Sequence, residues 1–280
     1  VAFVARGAHR EAIEKRGLKI ISPLGDLNIS GLRAVADPAL LGVADVVFIA
    51  VKLGDLDAAL AQLAPVVGPK TTVISLQNGV EAEERLIQAF GPARVAGGVA
   101  YIAAAIDAPG VIRHLGTNQR IQIGALPGGE GVPVADIVAA LAGAGIDAEA
   151  PADIRLAIWQ KFIFLVALSA TTTLTGQPIG VIRAEAAGRA LLADIMAEAV
   201  TVARLRGIAI TETFVADRLA FVDTLPHAMS SSMAHDARAG RALELDWLSG
   251  AVVRMGQAAG VPTPVNNAVV AVLQLRASAP

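Results

Sequence analysis

One lysine lies inside an otherwise apolar helical stretch, Asp153–Ser169, and it is the residue of this chain best suited to chemistry. Lys161 is flanked by aromatic residues such as Trp159 and Phe162, and the nearest acid in the sequence is Asp153. Burying an ammonium group among such side chains is costly unless a partner compensates it. The pattern therefore predicts a lysine kept for chemistry or for a salt bridge. The alternative is a lysine that buries its stem and holds its charge in water.

Helical periodicity indicates where this lysine points. At 3.6 residues per turn, Ile154, Ile158, Lys161 and Leu165 fall close to one face of the predicted helix. Three of these four residues are apolar, so this face is the one that packs against the rest of the protein. Lys161 is expected to project from that packed side.

Polar residues follow three apolar segments that read as strands of a parallel sheet. Ligands of open α/β sheets bind beyond the carboxyl ends of the strands. Basic groups at two of the three ends favour an anionic ligand such as a phosphate. The polar residues after any one of these strands, considered alone, are also typical of a solvated loop. The segments and the residues that follow them are Val1–Ala5 with Arg6, His9 and Arg10; Asp45–Val51 with Lys52; and Thr71–Leu76 with Gln77, Asn78 and Gly79.

The first half of the chain alternates short apolar runs with helical segments of about ten residues, which is typical of βαβ units. The predicted fold class is α/β and then all-α: a Rossmann-like doubly wound sheet with its first strand missing, followed by a helical domain. The domains are residues 1–150 and 151–280, with the boundary near Pro151. Helices are predicted at Asp153–Thr173, Arg183–Arg206, Thr213–Val222, Ser230–Ala259 as one long segment, and Pro264–Arg276.

Lys161 lies on the first helix after this boundary. Ligand sites favour clefts between domains, so this helix is expected to line such a cleft.

Composition narrows the function classes. The chain has 280 residues, 54% of them hydrophobic and 17% charged, with a formal charge of −2 and no cysteine. Disulfides, thiolate metal sites and a cysteine nucleophile are thereby excluded. We expect no nucleic-acid partner and no membrane partner, because the charge is near neutral and no apolar run reaches about 18 residues. A soluble, cytoplasmic protein is the prediction.

A dinucleotide-binding domain normally begins with a strand and a G-x-G-x-x-G loop, and the start of this sequence has neither. The strand Val1–Ala5 corresponds to the second strand of such a fold, so the first strand, its loop and its helix are expected to be absent from this sequence. The 280 residues alone should therefore bind a dinucleotide weakly. The second strand ends in Arg6 rather than in an acid, which favours the 2′-phosphate of NADP over the ribose of NAD.

Four segments of the chain resemble the ketopantoate reductase family (2-dehydropantoate 2-reductases). They are the strand end with Lys52, the run from Gln77 to Val80, the run from Ile158 to Phe162, and Ser231-Ser232-Met233 through Asp236 to Glu244-Leu245-Asp246. The last is the most specific. The likeness extends over nearly the whole chain, to Gly260–Pro264.

The resemblance implies NADPH-dependent reduction of ketopantoate to pantoate, in pantothenate biosynthesis. Lys161 would be the catalytic general acid. Ser232 and Glu244 would hold the keto acid, Asn78 would contact both the nicotinamide and the substrate, and Arg6 and Lys52 would bind cofactor phosphate. Ser169 would also contact the substrate. Ser232, Asp236 and Glu244 are expected to face one cleft from one helix. The expected small-molecule partner is a keto acid. A homodimer is one of the oligomeric states open to the chain.

The chain departs from the family pattern at two positions. The family typically has asparagines four and eight residues after the lysine, where this sequence has Leu165 and Ser169. A related reductase of another small 2-keto acid is therefore an alternative. A non-catalytic dinucleotide-binding protein is a third interpretation, favoured by the absent glycine loop. Asp236 or Glu244 could also simply pair with Arg241.

Overall fold

The computed structural model describes residues 1–277 and divides them into two compact units. The first unit comprises residues 1–51, 55–77 and 82–154, and the second comprises 52–54, 78–81 and 155 onward. Two short segments that follow strands of the first unit, 52–54 and 78–81, thus belong to the second. The sequence-based boundary near Pro151 lies close to the transition at residues 154 and 155 and stays a prediction.

The first unit contains nine strands in two sheets. β1 and β4 form a parallel pair, and the other seven strands form a mixed sheet in the order β3-β2-β8-β7-β6-β5 with β9 beside β8. Four helices belong to this unit: α1 (Gly7–Arg16), α2 (Leu56–Leu63), α3 (Ala82–Phe90) and α4 (Val134–Gly143). The strands are β1 (Ala2–Val4), β2 (Leu18–Ile21), β3 (Leu27–Ile29), β4 (Arg33–Val35), β5 (Val46–Ile49), β6 (Thr72–Ser75), β7 (Val95–Ala108), β8 (Val111–Ala125) and β9 (Asp147–Glu149).

The sheet agrees with the α/β expectation in its β5-β6-β7 part, which is parallel. All four residues of β6 are buried, as expected for a strand covered on both faces. The largest departure is the long antiparallel hairpin of β7 and β8. Only Pro109 and Gly110 connect these strands, and so short a connection permits no parallel crossover. Strand β4, of three residues, was not predicted.

The second unit is helical among its described residues, as predicted. α5 is the longest helix, with 22 residues, and Gly176 at φ +68° ends it. Its length and composition would suit a membrane span, although no uninterrupted apolar run in the sequence reaches about 18 residues. In the structure, 67% of its most apolar window is buried inside the protein, as in a core helix. The helices are α5 (Ile154–Thr175), α6 (Ile179–Ala184), α7 (Ala186–Leu205), α8 (Phe214–Thr224), α9 (Ser232–Arg238), α10 (Ser249–Ala258) and α11 (Pro264–Ala277).

The prediction of one long helix over Ser230–Ala259 is wrong. α9 ends before Gly240, which has a φ of +63°, and a loop and a 3-10 turn at Leu245–Trp247 precede α10. Leu248, with φ −110° and ψ −102°, separates that turn from α10. The predicted helix Arg183–Arg206 is likewise two helices, because Glu185 between them is extended.

Candidate functional site

α5 carries Lys161 to a partner 83 residues earlier in the chain. The Lys161 Nζ donates a hydrogen bond of 3.0 Å to Asn78 Oδ1. Asn78 belongs to the short segment 78–81 that folds with the helical unit. The turn after it requires a glycine, because Gly79 has a φ of +111° and a Cβ there would lie 2.8 Å from Leu53. The ammonium group therefore has a defined position inside the protein, which argues against a lysine that merely extends into water.

The surroundings of Lys161 change its acidity. Removal from water lowers the pKa of Lys161 to about 8, and the negative charge of Glu244 opposes this shift. Trp159 and Phe162, both buried, flank the lysine on α5 and contact each other edge to face. A lysine with this pKa is mostly protonated at neutral pH and can release its proton more readily than an ordinary lysine. It suits a general acid that works near neutrality.

Glu244 acts on Lys161 from a loop, not from the predicted helix. It is half-buried and precedes the 3-10 turn at Leu245–Trp247, on the loop after α9. The helical argument that put Ser232, Asp236 and Glu244 on one face is therefore wrong, since α9 ends at Arg238. The effect of Glu244 on Lys161 was not predicted and arises from tertiary packing. Substrate contact by Glu244 stays a prediction.

Asp236 is the centre of a group of three charges, here called the Asp236 clasp and comprising Lys52, Asp236 and Arg241. Lys52 Nζ lies 2.8 Å from Asp236 Oδ2, and Arg241 Nε lies 2.7 Å from Asp236 Oδ1. Burial raises the pKa of Asp236, but the two hydrogen bonds outweigh it and hold the pKa below its ordinary value. The interpretation of Asp236 as a partner of Arg241 is thus confirmed. The suggested pair of Glu244 with Arg241 is not what the structure has, because Arg241 binds Asp236.

Lys52, predicted to bind cofactor phosphate, is engaged within the protein. Besides Asp236 it donates to the carbonyl oxygen of Ala242 at 3.0 Å. An ammonium has three N–H donors, and these two bonds use two of them. Contact with a cofactor phosphate stays a prediction for Lys52.

The two serines before α9 have different surroundings. Ser232, the predicted substrate contact, is exposed at the first position of the helix. Ser231 is buried; its Oγ accepts from the backbone N–H of Ala234 and lies 2.8 Å from Thr172 Oγ1 on α5. Sequence reasoning missed Ser231, although a serine just before a helix is a common N-cap.

Ser169, also predicted to contact substrate, lies deep in the helical unit. It is 1% exposed, and its hydroxyl has no hydrogen-bond partner among residues 1–277. Leu165, one turn earlier, is half-buried. Substrate contact by Ser169 stays a prediction.

Arg6 belongs to the first unit, whereas the other predicted site residues belong to the second. It is exposed at the end of β1, directly before α1. Its two basic neighbours are engaged elsewhere: Arg10 pairs with Glu14 at 2.7 Å, and His9 Nδ1 accepts from the backbone N–H of Gly110. Arg6 is thus the basic side chain at this strand end best able to meet an anion.

Two family descriptions match this chain. Residues 1–128 match ketopantoate reductase PanE/ApbA, and residues 153–277 match its C-terminal part. A 2-dehydropantoate 2-reductase of Mesorhizobium japonicum is 32% identical over 294 residues, which cover 98% of this chain and 89% of that protein.

Solved structures agree. The crystal structure of 2-dehydropantoate 2-reductase from Geobacter metallireducens has a TM-score of 0.90 at 30% identity and covers 98% of this chain and 91% of that one. A D-mandelate dehydrogenase solved with NADH and anilino(oxo)acetate has a TM-score of 0.88, covering 98% of this chain and 89% of that one. At 20% identity it shares the fold only. From the matched descriptions and the identity over nearly all of its length, the chain belongs to the ketopantoate reductase family of oxidoreductases.

Proposed function

We propose that this protein reduces a small 2-keto acid with NADPH, and that the substrate is ketopantoate and the product pantoate, a step of pantothenate biosynthesis. One observation carries the proposal: Lys161 Nζ is fixed 3.0 Å from Asn78 Oδ1, and desolvation lowers the pKa of Lys161 to about 8. A non-catalytic dinucleotide-binding protein has no need of a desolvated, positioned ammonium.

A bound nicotinamide cofactor would supply the hydride that reduces the keto carbon, and negative charge would then develop on the keto oxygen. Lys161 stabilises that charge and donates its Nζ proton to the oxygen, so that the product is a neutral alcohol group and the lysine is left as an amine. Asn78 accepts a hydrogen bond from the same Nζ and so fixes the orientation of the ammonium group. Glu244 favours the charged lysine, which keeps the proton available before the reaction.

The cofactor assignment rests on the first unit. Arg6 is exposed two residues after β1, at a strand end where an acid would instead favour the ribose hydroxyl of NAD. A guanidinium suits a 2′-phosphate because it offers several donors and a permanent charge. We therefore assign Arg6 to the 2′-phosphate.

Lys161→Ala tests the proposal. We expect kcat for ketopantoate with NADPH to fall by about 10²-fold or more, because the proton donor and its charge are lost. The dissociation constant for NADPH, from its fluorescence, should barely change. Lys161→Arg should keep the charge but recover little turnover, since arginine is a much weaker acid. Lys15→Ala, an exposed lysine on α1, is the matched control. Near-normal turnover by Lys161→Ala, or no turnover by the unaltered protein at saturating NADPH, would contradict the proposal.

A second candidate is the reduction of a less polar 2-keto acid. The observation that favours it is the half-buried Leu165, one helical turn after Lys161 on α5. An apolar side chain offers no hydrogen bond to a hydroxylated substrate. It would instead pack against an aliphatic one.

A further inference from the structure

Lys52 contacts both α9 and the loop after it, which carries Glu244. It is an ion-pair partner of Asp236, on α9, and it also donates to the Ala242 carbonyl, two residues before Glu244. The two bonds join residues separated by 184 and 190 positions in the chain. Lys52 thus fastens both the end of α9 and the loop that follows it.

Arg241 completes the attachment from the loop itself. Its side chain donates to Asp236 Oδ1, and its backbone N–H donates to the Asp236 carbonyl at 2.9 Å. Residues 241 and 242 are therefore held by Asp236 and Lys52, respectively. Because an extended residue spans about 3.3–3.6 Å, the Glu244 backbone cannot move far from these anchors.

We infer that Lys52 is a positioning residue, which acts through the Asp236 clasp to hold Glu244 beside Lys161. Asp236 is 8% exposed, and removing one cation from a buried carboxylate leaves its charge less compensated. The inference rests on the proposed function only for its effect on turnover.

Two other acids of the second unit form ion pairs of their own, whereas Glu244 acts on Lys161. Glu81, three residues after Asn78, binds Arg254 at 2.8 Å. Asp236 is engaged by Lys52 and Arg241. Glu244 is the carboxylate whose charge raises the pKa of Lys161, so displacement of Glu244 should lower that pKa.

The test is Lys52→Met, with Lys52→Arg as the conservative variant. Lys70→Met is the control, because Lys70 is an exposed lysine in a turn of the first unit. We expect Lys52→Met to lower kcat by about tenfold or more and to move the alkaline limb of the kcat–pH profile to lower pH. NADPH affinity should stay within about threefold. Lys52→Arg, which can still pair with Asp236, should restore most of both effects.

A second measurement does not depend on the substrate. The chain has five lysines, at positions 15, 19, 52, 70 and 161, so protein labelled with ¹³C at lysine Cε gives a simple NMR titration. The pKa of Lys161 should be lower in Lys52→Met and in Asp236→Asn than in the unaltered protein or in Lys70→Met. If the unaltered protein does not reduce ketopantoate, the proposed function fails while this titration still decides the role of Lys52.

Two results would overturn the inference. One is an unchanged Lys161 pKa in folded Lys52→Met and Asp236→Asn proteins. The other is a loss of NADPH affinity in Lys52→Met that exceeds the loss of kcat, which would return Lys52 to direct phosphate binding.

Discussion

The surroundings of Lys161 set both its position and its acidity. Its position is fixed by Asn78, and two opposing influences set its acidity: desolvation, which lowers the pKa to about 8, and the charge of Glu244, which raises it. Desolvation is the larger of the two. A general acid must be protonated before the reaction, so turnover should fall as pH rises through the pKa of this lysine.

This sign can be tested with Glu244→Gln. The kcat of the unaltered protein should decline above about pH 8. The glutamine removes the charge that favours protonated Lys161, so the pKa falls and the decline should begin at lower pH. Glu212→Gln, at a glutamate whose side chain is 90% exposed, is the control and should leave the profile unchanged. A profile that moves to higher pH in Glu244→Gln would contradict the assigned electrostatics.

Leu165 governs the prediction on substrate choice. If the pocket is otherwise that of a ketopantoate reductase, Leu165→Asn should raise kcat/KM for ketopantoate several-fold, since one well-placed hydrogen bond contributes about 1 kcal/mol. If the native substrate is a less polar keto acid, the same change should lower activity on that substrate. Both forms are to be assayed against ketopantoate and a series of aliphatic 2-keto acids. If the unaltered protein reduces ketopantoate efficiently and Leu165→Asn lowers this activity, Leu165 does not mark a changed substrate.

At the scale of elements, the attachment of α9 to α5 matters most. Thr172 Oγ1 donates to the Leu168 carbonyl at 2.6 Å, so Ser231 must donate to Thr172 while it accepts from the Ala234 N–H. This chain of hydrogen bonds connects the N-terminus of α9 to the helix of Lys161. It thereby fixes the helix on which Ser232 and Asp236 lie.

Ser231→Ala removes both the helix cap and the link to Thr172. We expect the free energy of unfolding to fall by about 1–2 kcal/mol, measured by denaturant titration. Ser232→Ala is the matched control: this neighbouring serine is exposed, so its loss should cost under about 0.5 kcal/mol and should raise KM for the keto acid. Equal losses of stability in the two variants would contradict the assignment of Ser231 as the cap.

The division into two units separates the proposed roles at the scale of the whole molecule. Arg6 belongs to the first unit, and Lys161, Asn78 and Glu244 belong to the second. Cofactor preference and proton transfer should therefore respond to different substitutions.

The cytoplasmic location and the homodimer stay predictions.

Arg6→Ala should weaken NADPH binding far more than NADH binding, because only NADPH has the 2′-phosphate. Fluorescence titration of both cofactors measures this difference, and kcat at saturating NADPH should change little. Arg16→Ala, at an exposed arginine near the other end of α1, is the control. Equal losses for the two cofactors would remove the 2′-phosphate assignment from Arg6.

Features that depend on local pattern could be predicted from the amino-acid sequence. Hydrophobic periodicity gave the alternating first half, the helical second half and the helix of Lys161, because the spacing of apolar residues reflects the face that each element buries. The cost of burying an ammonium group made Lys161 a candidate functional residue from the sequence alone. The family resemblance then indicated Asn78, Ser232 and Glu244.

Contacts between residues distant in the chain depend on tertiary packing. Lys161 meets Asn78 across 83 positions, and Lys52 meets Asp236 across 184. Such pairs follow from how the elements pack, which local pattern does not encode. The same reason explains the error over Ser230–Ala259: its residues suit a helix, but Gly240 adopts a φ of +63°, and Lys52 and Asp236 hold the following loop in place. That tertiary anchoring overrides helix propensity and brings Glu244 to the lysine.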